Sequence, residues 1–75
     1  MSGAEIKIVS SSTDGKFDLV FNSGFVAQRK DHVECSMGLV AMMRGFEAMG
    51  WIKTFDESIP CSVRVVRYVR EGDVW

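Results

Sequence analysis

His32, Cys35 and Cys61 carry the side chains of this sequence that are best suited to metal binding or nucleophilic attack. A tetrahedral zinc site needs a fourth ligand, which the sequence does not offer. A cysteine–histidine pair needs a third group to orient the imidazole, and the spacing of His32 and Cys35 does not supply one. We therefore expect reduced core thiols and an exposed or capping histidine, in preference to a zinc site, a disulfide or a catalytic pair.

Paired carboxylates are the other catalytic candidates. Asp56 and Glu57 fall in a predicted loop, and Glu71 and Asp73 lie near the chain end, where solvated charges are common. The sequence also lacks a glycine-rich phosphate-binding loop. It therefore predicts a protein without enzymatic activity, metal or cofactor.

The last predicted strand carries a basic row, Arg64, Arg67 and Arg70, together with Tyr68. Clustered guanidinium groups bind phosphates and an aromatic ring can stack on a base, so this strand could contact RNA or DNA. The same row could bind an acidic protein surface, or be a solvated row that protects a sheet edge. Arg64 and Arg67 lie on opposite faces of a regular strand, and only a bulge near residues 65–66 would unite them.

The composition is that of one globular domain, with 47% apolar and 25% charged side chains over residues 1–75. Lysine and arginine number 9 against 10 acidic residues, and the net charge of -1 excludes attraction of the whole molecule to nucleic acid or an anionic membrane. No apolar run approaches the roughly 20 residues of a membrane helix, and residues 1–5 lack a signal-peptide pattern. We expect a cytoplasmic protein, in the host cytoplasm if a phage encodes it.

Alternation of polar and apolar residues predicts three strands in the first part of the chain. Turn signals separate these strands, with Asp14 and Gly15 in the first turn and Asn22, Ser23 and Gly24 in the second. The strands are predicted at residues 5–10, 16–22 and 25–29, as a meander.

Residues 31–50 form the predicted helix. Asp31 is the expected N-cap, with Glu34 returning a hydrogen bond as in a capping box, and Ser36 is the competing cap. Gly50 stands where a left-handed C-terminal cap is expected. One side of the helix is apolar at helical spacing, which predicts that it faces the core. Its residues are Cys35, Leu39, Met42, Met43, Phe46 and Met49.

After the helix, the pattern predicts a strand at residues 51–55, a loop at residues 56–60 and a strand at residues 61–70. The predicted fold is therefore α+β, with the order β-β-β-α-β-β and one helix on one face of an antiparallel sheet of about five strands. The other sheet face is predicted to be uncovered and to suit a partner. Its predicted residues are Lys7, Val9, Asp18, Val20, Val26 and Tyr68.

A second side of the helix is rich in small residues, with Gly38, Ala41, Gly45 and Ala48. Each glycine inside a helix costs about 0.5–1 kcal/mol against alanine, which indicates that another backbone comes close. That backbone belongs either to the sheet of the same chain or to a helix of a second copy or a partner. Small size and apolar surplus also predict a homodimer.

The order of elements, the short chain, and the segment GKFDLV at residues 15–20 leading through Ser36 to Gly50 and Trp51 resemble the smaller phage-encoded anti-CRISPR proteins. Several of those proteins fold as a sheet with one helix. The resemblance covers most of the chain as a pattern, without a diagnostic motif. It implies a non-enzymatic inhibitor that occupies a nucleoprotein surface on a bacterial defence complex, often as a dimer, and it transfers no binding residue.

We therefore predict a protein that binds a protein partner, such as a nucleoprotein complex, by occupying its surface. The alternative is a small nucleic-acid-binding module that uses the basic last strand. The predicted contacts lie on the uncovered sheet face, the last strand and the exposed side of the helix. They are Val20, Val26, Met37, Val40, Arg44, Arg64, Arg67, Tyr68 and Arg70.

Overall fold

The computed structural model describes residues 3–12, 14–59 and 63–70, which form one five-stranded sheet and one helix. The elements are β1 (Gly3–Ser10), β2 (Phe17–Phe21), β3 (Gly24–Lys30), α1 (His32–Ala48), β4 (Ile52–Ile59) and β5 (Val63–Val69). All neighbouring strands are antiparallel, in the spatial order β3-β2-β1-β5-β4. The predicted α+β fold and the order β-β-β-α-β-β are confirmed.

Two tight turns connect the first three strands at the predicted places. Asn22 and Ser23 have φ angles of 46° and 71°, and positive φ at both central residues is what a type I′ hairpin turn requires. Gly15, between β1 and β2, has a φ of 73°, which glycine adopts without steric cost. The predicted meander is therefore confirmed.

The pairing of β2 with β3 is irregular at two places, near Asp18 and after Leu19. Arg29 takes a left-handed φ of 55° there, and its N–H donates to Asp18 Oδ1 at 2.9 Å. Asp18 is buried, and this backbone hydrogen bond compensates for the loss of solvent around its carboxylate. The outer edge of the sheet at β3 is therefore not a regular strand edge.

The two ends of α1 differ in how they are capped. Gly50 has a φ of 84°, its N–H donates to the carbonyl of Glu47, and the N–H of Trp51 donates to the carbonyl of Phe46. These bonds form a Schellman motif, and the rings of Phe46 and Trp51 pack at 5.0 Å across it. The predicted C-terminal cap is confirmed.

The N-terminal cap follows the prediction only in position. Asp31 stands at the N-cap with extended backbone, but its side chain makes no capping hydrogen bond. Its Oδ1 instead accepts a hydrogen bond from Lys16 Nζ at 2.7 Å. The predicted capping box is therefore wrong, because the ion pair with Lys16 turns the carboxylate away from the helix amides.

The core lies between α1 and one face of the central strands. Cys35 and Leu39 are buried there, as predicted, while Met42, Met43 and Phe46 are partly buried against the same cluster. Met49 is the exception, at 65% exposed, because it is the C-cap residue and lies beyond the last helical turn. The buried residues of this core cluster are Ile6, Ile8, Leu19, Cys35, Leu39, Val66 and Tyr68.

The strands after the helix differ from the prediction in two ways. β4 continues through residues 56–59, which belong to the loop predicted at residues 56–60, and its irregular position lies between Lys53 and Phe55. Val65 and Val66 pair in regular register, so the bulge that would have brought Arg64 and Arg67 to one face is not formed. The predicted beginning of this strand at Cys61 and the state of that thiol lie outside the described residues, as do the carboxylates of Glu71 and Asp73.

The two glycines inside α1 have different surroundings. A Cβ on Gly38 would lie 2.9 Å from Leu19 Cδ2, so the helix approaches β2 as closely as a glycine allows. A Cβ on Gly45 would meet nothing within 4 Å. Close packing of helix on sheet within the chain therefore explains Gly38 and does not explain Gly45.

This difference predicts opposite outcomes for one substitution at two positions. Gly45→Ala should raise the free energy of unfolding by about 0.5–1 kcal/mol, because alanine favours the helix and meets no neighbour. The free energy of unfolding of Gly38→Ala should be about 1–2 kcal/mol lower than that of Gly45→Ala, because the buried Leu19 side chain must move. Urea unfolding of the two variants measures the difference. Equal stabilisation at both positions would contradict the close approach at Gly38.

Candidate functional site

The basic row is divided between the two faces of the sheet. Arg64 lies on the helix-side face and binds Asp56 with two hydrogen bonds, Nε to Oδ1 at 3.1 Å and Nη2 to Oδ2 at 2.9 Å. Lys53 Nζ donates to the same carboxylate at 3.1 Å. The hydrogen bonds from Arg64 lower the pKa of Asp56, and the bond to Asp56 raises the pKa of Arg64. This guanidinium is therefore engaged within the chain.

Arg67 lies on the opposite face, as expected for a regular strand. Its Nε donates to Glu5 Oε2 at 2.9 Å, and its guanidinium carbon lies 5.1 Å from the centre of the Phe55 ring. Lys7 Nζ approaches the same Glu5 carboxylate at 3.9 Å. Arg70, immediately after β5, is exposed. The three arginines therefore do not form one continuous cationic surface.

Tyr68 was predicted to lie on the uncovered sheet face, and this placement is wrong. Because Tyr68 follows Val66 on alternate positions of β5, its ring faces α1, is fully buried and stacks on Phe46 at 5.4 Å. Its hydroxyl donates to Glu47 Oε2 at 2.7 Å. Burial, reinforced by this hydrogen bond, raises the pKa of Tyr68 far above its ordinary value. The ring is not available for stacking on a base.

Val20 and Val26 were predicted as contacts on the uncovered face. Val26 is 54% exposed, but Val20 is only 6% exposed. Val20 pairs in register with Lys7 on one side and Phe25 on the other, and side chains at such positions cover one another on a sheet face. The expectation that Val20 is exposed is therefore wrong.

The solvent side of α1 carries an apolar groove, which we call the outer surface of α1 and define by Val33, Met37, Val40, Ala41 and Arg44. Val33 and Met37 are 67% and 68% exposed, and Val40 is 37% exposed. The groove has a volume of about 410 Å³ and is also lined by His32 and Ser36. Met37, Val40 and Arg44, predicted as contacts, therefore lie together.

The outer surface lies on the side of α1 opposite to Cys35 and Leu39, which face the sheet. At 3.6 residues per turn, Val33, Met37, Val40 and Arg44 fall along one line of the helix. A surface helix normally carries polar residues on this side. An exposed apolar line in that position is typical of a surface that another protein covers.

Cys35 and His32 have different surroundings. The Cys35 side chain is buried, and its Sγ–H donates to the carbonyl of Phe17 at 3.6 Å. Burial raises the pKa of Cys35, which favours the unreactive thiol form. His32 is exposed, with its ring edge-on to Phe17 at 5.1 Å. The prediction of a core thiol at Cys35 is confirmed.

Metal binding and membrane insertion find no structural support in residues 3–12, 14–59 and 63–70. These residues contain no group of three histidine, cysteine, aspartate or glutamate side chains placed to hold a metal ion. Their helix is also too short and too polar to span a membrane. The outer surface of α1 remains the most distinctive feature of the described chain.

Val33 is the part of this surface that the sequence reasoning missed. Its spacing of four, seven and eleven residues from Met37, Val40 and Arg44 is a helical period that could have revealed it. The core-facing side of the helix has the longer series of apolar residues at helical spacing, which is the stronger of the two sequence signals. Comparison with known proteins yields no matching family model, no matching curated protein and no matching solved structure.

The buried Tyr68 hydroxyl predicts a loss of stability at alkaline pH. The unfolded chain ionises tyrosine near about pH 10, whereas the folded protein holds Tyr68 neutral to higher pH. Unfolding therefore releases a proton above about pH 10, and the free energy of unfolding falls as pH rises. We expect Tyr68→Phe to reduce this fall, measured by urea unfolding at about pH 9 and about pH 11.

Tyr68 is the only tyrosine, so tyrosinate absorbance in the folded protein reports on this group alone. The absorbance should appear only well above the usual titration range, or with unfolding. An unchanged alkaline fall of stability in Tyr68→Phe, or an ordinary titration in the folded protein, would contradict the burial of the hydroxyl.

Proposed function

We propose that this chain is a non-enzymatic binding protein that acts by occupying the surface of a protein partner, through the outer surface of α1. The observation that carries the proposal is the exposure of Val33 and Met37 on the solvent side of the helix. Fully burying a valine or methionine side chain contributes about 1.5–3 kcal/mol. Covering this line of the helix would therefore supply a large part of the free energy of a specific association.

The charge arrangement favours a protein partner over a nucleic acid. Phosphate backbones are bound by several cations acting together. Arg64 and Arg67 lie on opposite sheet faces, and each is paired with a carboxylate of this chain. The outer surface of α1 itself carries one cation, Arg44. An apolar groove with a single charge at one end suits a protein surface better than a polyanion.

The state of Cys35, the cysteine that the structure describes, supports the non-enzymatic part of the proposal. Cys35 follows the only histidine in the sequence by three residues, but it is directed into the core and its pKa is raised by burial. His32 is exposed and packs edge-on against Phe17. A cysteine nucleophile needs the opposite arrangement, with an accessible sulfur whose pKa is lowered by its neighbours.

The resemblance to the smaller anti-CRISPR proteins gives the proposal its specific form. In this form the chain is an inhibitor in the host cytoplasm that occupies a surface of a bacterial defence nucleoprotein complex. The support comes from the small size, the order of elements and an exposed apolar binding surface on a one-helix fold. Inhibition by occupation requires affinity and fit, and it requires no chemistry from the inhibitor.

The experiment compares one substitution at two methionines of similar exposure, one on the outer surface of α1 and one at its C-cap. Met37 is 68% exposed on the outer surface, whereas Met49 is 65% exposed at the C-cap and away from it. Cells with an active CRISPR system are transformed with a targeted plasmid, and the chain is co-expressed. Wild type and Met49→Lys should restore plasmid establishment, whereas Met37→Lys should reduce the restoration by roughly tenfold or more.

In parallel, the binding of the purified chain is measured to the purified defence complex of the CRISPR system that it inhibits in cells. Binding should survive nuclease treatment of exposed nucleic acid and should depend little on added salt, because an apolar contact carries it. Equal restoration by Met37→Lys and Met49→Lys would overturn the assignment of the outer surface. Failure of the wild type to restore establishment across a panel of CRISPR types would overturn the inhibitor form of the proposal.

A further inference from the structure

We infer that the outer surface of α1 binds an amphipathic helix of the partner protein, and that this helix presents a carboxylate to Arg44. The inference rests on the proposed function and names the kind of structure that occupies the surface. Two observations on α1 carry it. They are the spacing of the exposed residues and the lack of a counter-charge for Arg44 among the described residues.

The exposed residues of α1 have the spacing of a coiled-coil contact. Four of them are separated in turn by four, three and four residues, and we call them the heptad seam: Val33, Met37, Val40 and Arg44. This spacing is the alternation of a and d positions in a heptad, with the two valines at d and the other two residues at a. Because such a seam is narrow and follows the helix axis, the surface that complements it is a second helix lying alongside.

The flanks of the seam allow a second helix to come close. Ser36 and Ala41 lie on either side of the seam and line the same groove. Their side chains are short, so the ridge of a second helix can enter between the turns of α1. From Val33 to Arg44 the seam is about 16 Å long at about 1.5 Å per residue, which corresponds to about three turns of a helical partner.

Arg44 is the charged member of the seam, and it forms no ion pair with another described residue. The positions three and four residues before it and four residues after it carry no carboxylate. Glu47, three residues after it, accepts a hydrogen bond from the Tyr68 hydroxyl at 2.7 Å. Because covering an unpaired charge is costly, a partner that covers the seam must bring the carboxylate itself.

This single charge also defines which helices fit. A charged residue at one a position weakens an apolar seam and selects the register and the partner that match it. The partner helix is therefore apolar where it faces Val33, Met37 and Val40, and acidic where it faces Arg44. An apolar helix with a cation at that point is rejected by like charge.

A second copy of this chain does not meet this requirement. The seam contains one cation and no anion. At full overlap, antiparallel pairing would set Arg44 against Val33, and parallel pairing would set Arg44 against Arg44. Both arrangements leave two guanidinium groups without a counter-charge, so the seam favours a different protein.

Two synthetic peptides are the probes for this inference. Each is a helix of three heptads with leucine at its a and d positions and lysine at its e and g positions, since like charges there discourage self-pairing. The peptides differ at one central a position, which is glutamate in the first and lysine in the second. NMR spectroscopy of the isotope-labelled full chain measures the dissociation constant and shows which amide signals shift.

The wild-type chain should bind the glutamate peptide roughly tenfold or more tightly than the lysine peptide, because glutamate pairs with Arg44 and lysine is repelled by it. The amide signals of residues 33–44 should shift, and those of β4 should not. Arg44→Gln should remove the preference, and Arg44→Glu should reverse it. A wild-type pattern of the remaining amide signals shows that each variant is folded.

A second pair of variants tests the apolar part of the seam. Met37→Lys should weaken the binding of both peptides by roughly tenfold or more, because a charge replaces an apolar contact. Met49→Lys is the matched control, since Met49 has similar exposure and lies at the C-cap, outside the seam. It should leave both dissociation constants unchanged.

Four outcomes would overturn the inference. They are no binding of either peptide at millimolar concentration, equal affinity for the two peptides, an unchanged preference in Arg44→Glu, and concentration-dependent shifts of residues 33–44 without peptide, which would make a second copy the occupant. The peptide measurements need no defence complex, so they are separate from the plasmid assay. Peptide preference without restored plasmid establishment would support helix binding and remove the inhibitor role, and the reverse result would remove the helix and leave the inhibitor role.

Discussion

The packing of one side of α1 against β1, β2 and β5 is the contact on which the rest of the structure depends. Ile6, Leu19 and Leu39 meet there with almost no exposed surface, and Gly38 lets the helix approach β2 closely. A chain this short has material for a single apolar layer and no more. Within residues 3–12, 14–59 and 63–70, no second helix covers the other sheet face or the outer side of α1, and the composition of those surfaces decides what they can bind.

The two surfaces left over are very different. On the open sheet face the charges are matched within the chain, since Arg67 lies between Glu5 and the Phe55 ring. Such a face is already compatible with water, and exposed ion pairs contribute little to binding. The outer surface of α1 carries exposed apolar side chains where the sheet face carries paired charges. Exposed apolar side chains also occur in the strands, at Phe25, Val26 and Ile52, but those on the outer surface of α1 lie along one line of a regular helix.

Local sequence signals predicted much of the fold. Asn22 and Gly50 are residue types that tolerate positive φ, so their places in a turn and a helix cap followed from residue type. The failures came from contacts between distant residues. The Asp31 carboxylate accepts a hydrogen bond from Lys16 in place of the helix amides. Residues 56–58 belong to β4, where Asp56 accepts a hydrogen bond from Arg64. Tyr68 was predicted on the wrong sheet face, because the face to which each side chain of β5 points depends on strand register, which the sequence alone does not show. Of the predicted contacts, Met37, Val40 and Arg44 are together on one surface, whereas the burial of Val20 and Tyr68 depends on neighbours across the sheet.

The position of β1 in the middle of the sheet has a consequence for how the chain folds during synthesis. β1 pairs with β2 through a short connection, but its other side pairs with β5, which follows the other described strands along the chain. Until β5 emerges from the ribosome, β1 has one row of backbone amides and carbonyls without strand partners. Contacts between distant parts of a chain form late and slow folding. The N-terminal meander therefore completes its strand pairing only after β5 is available. In that interval, α1 is the described element that can cover its apolar face.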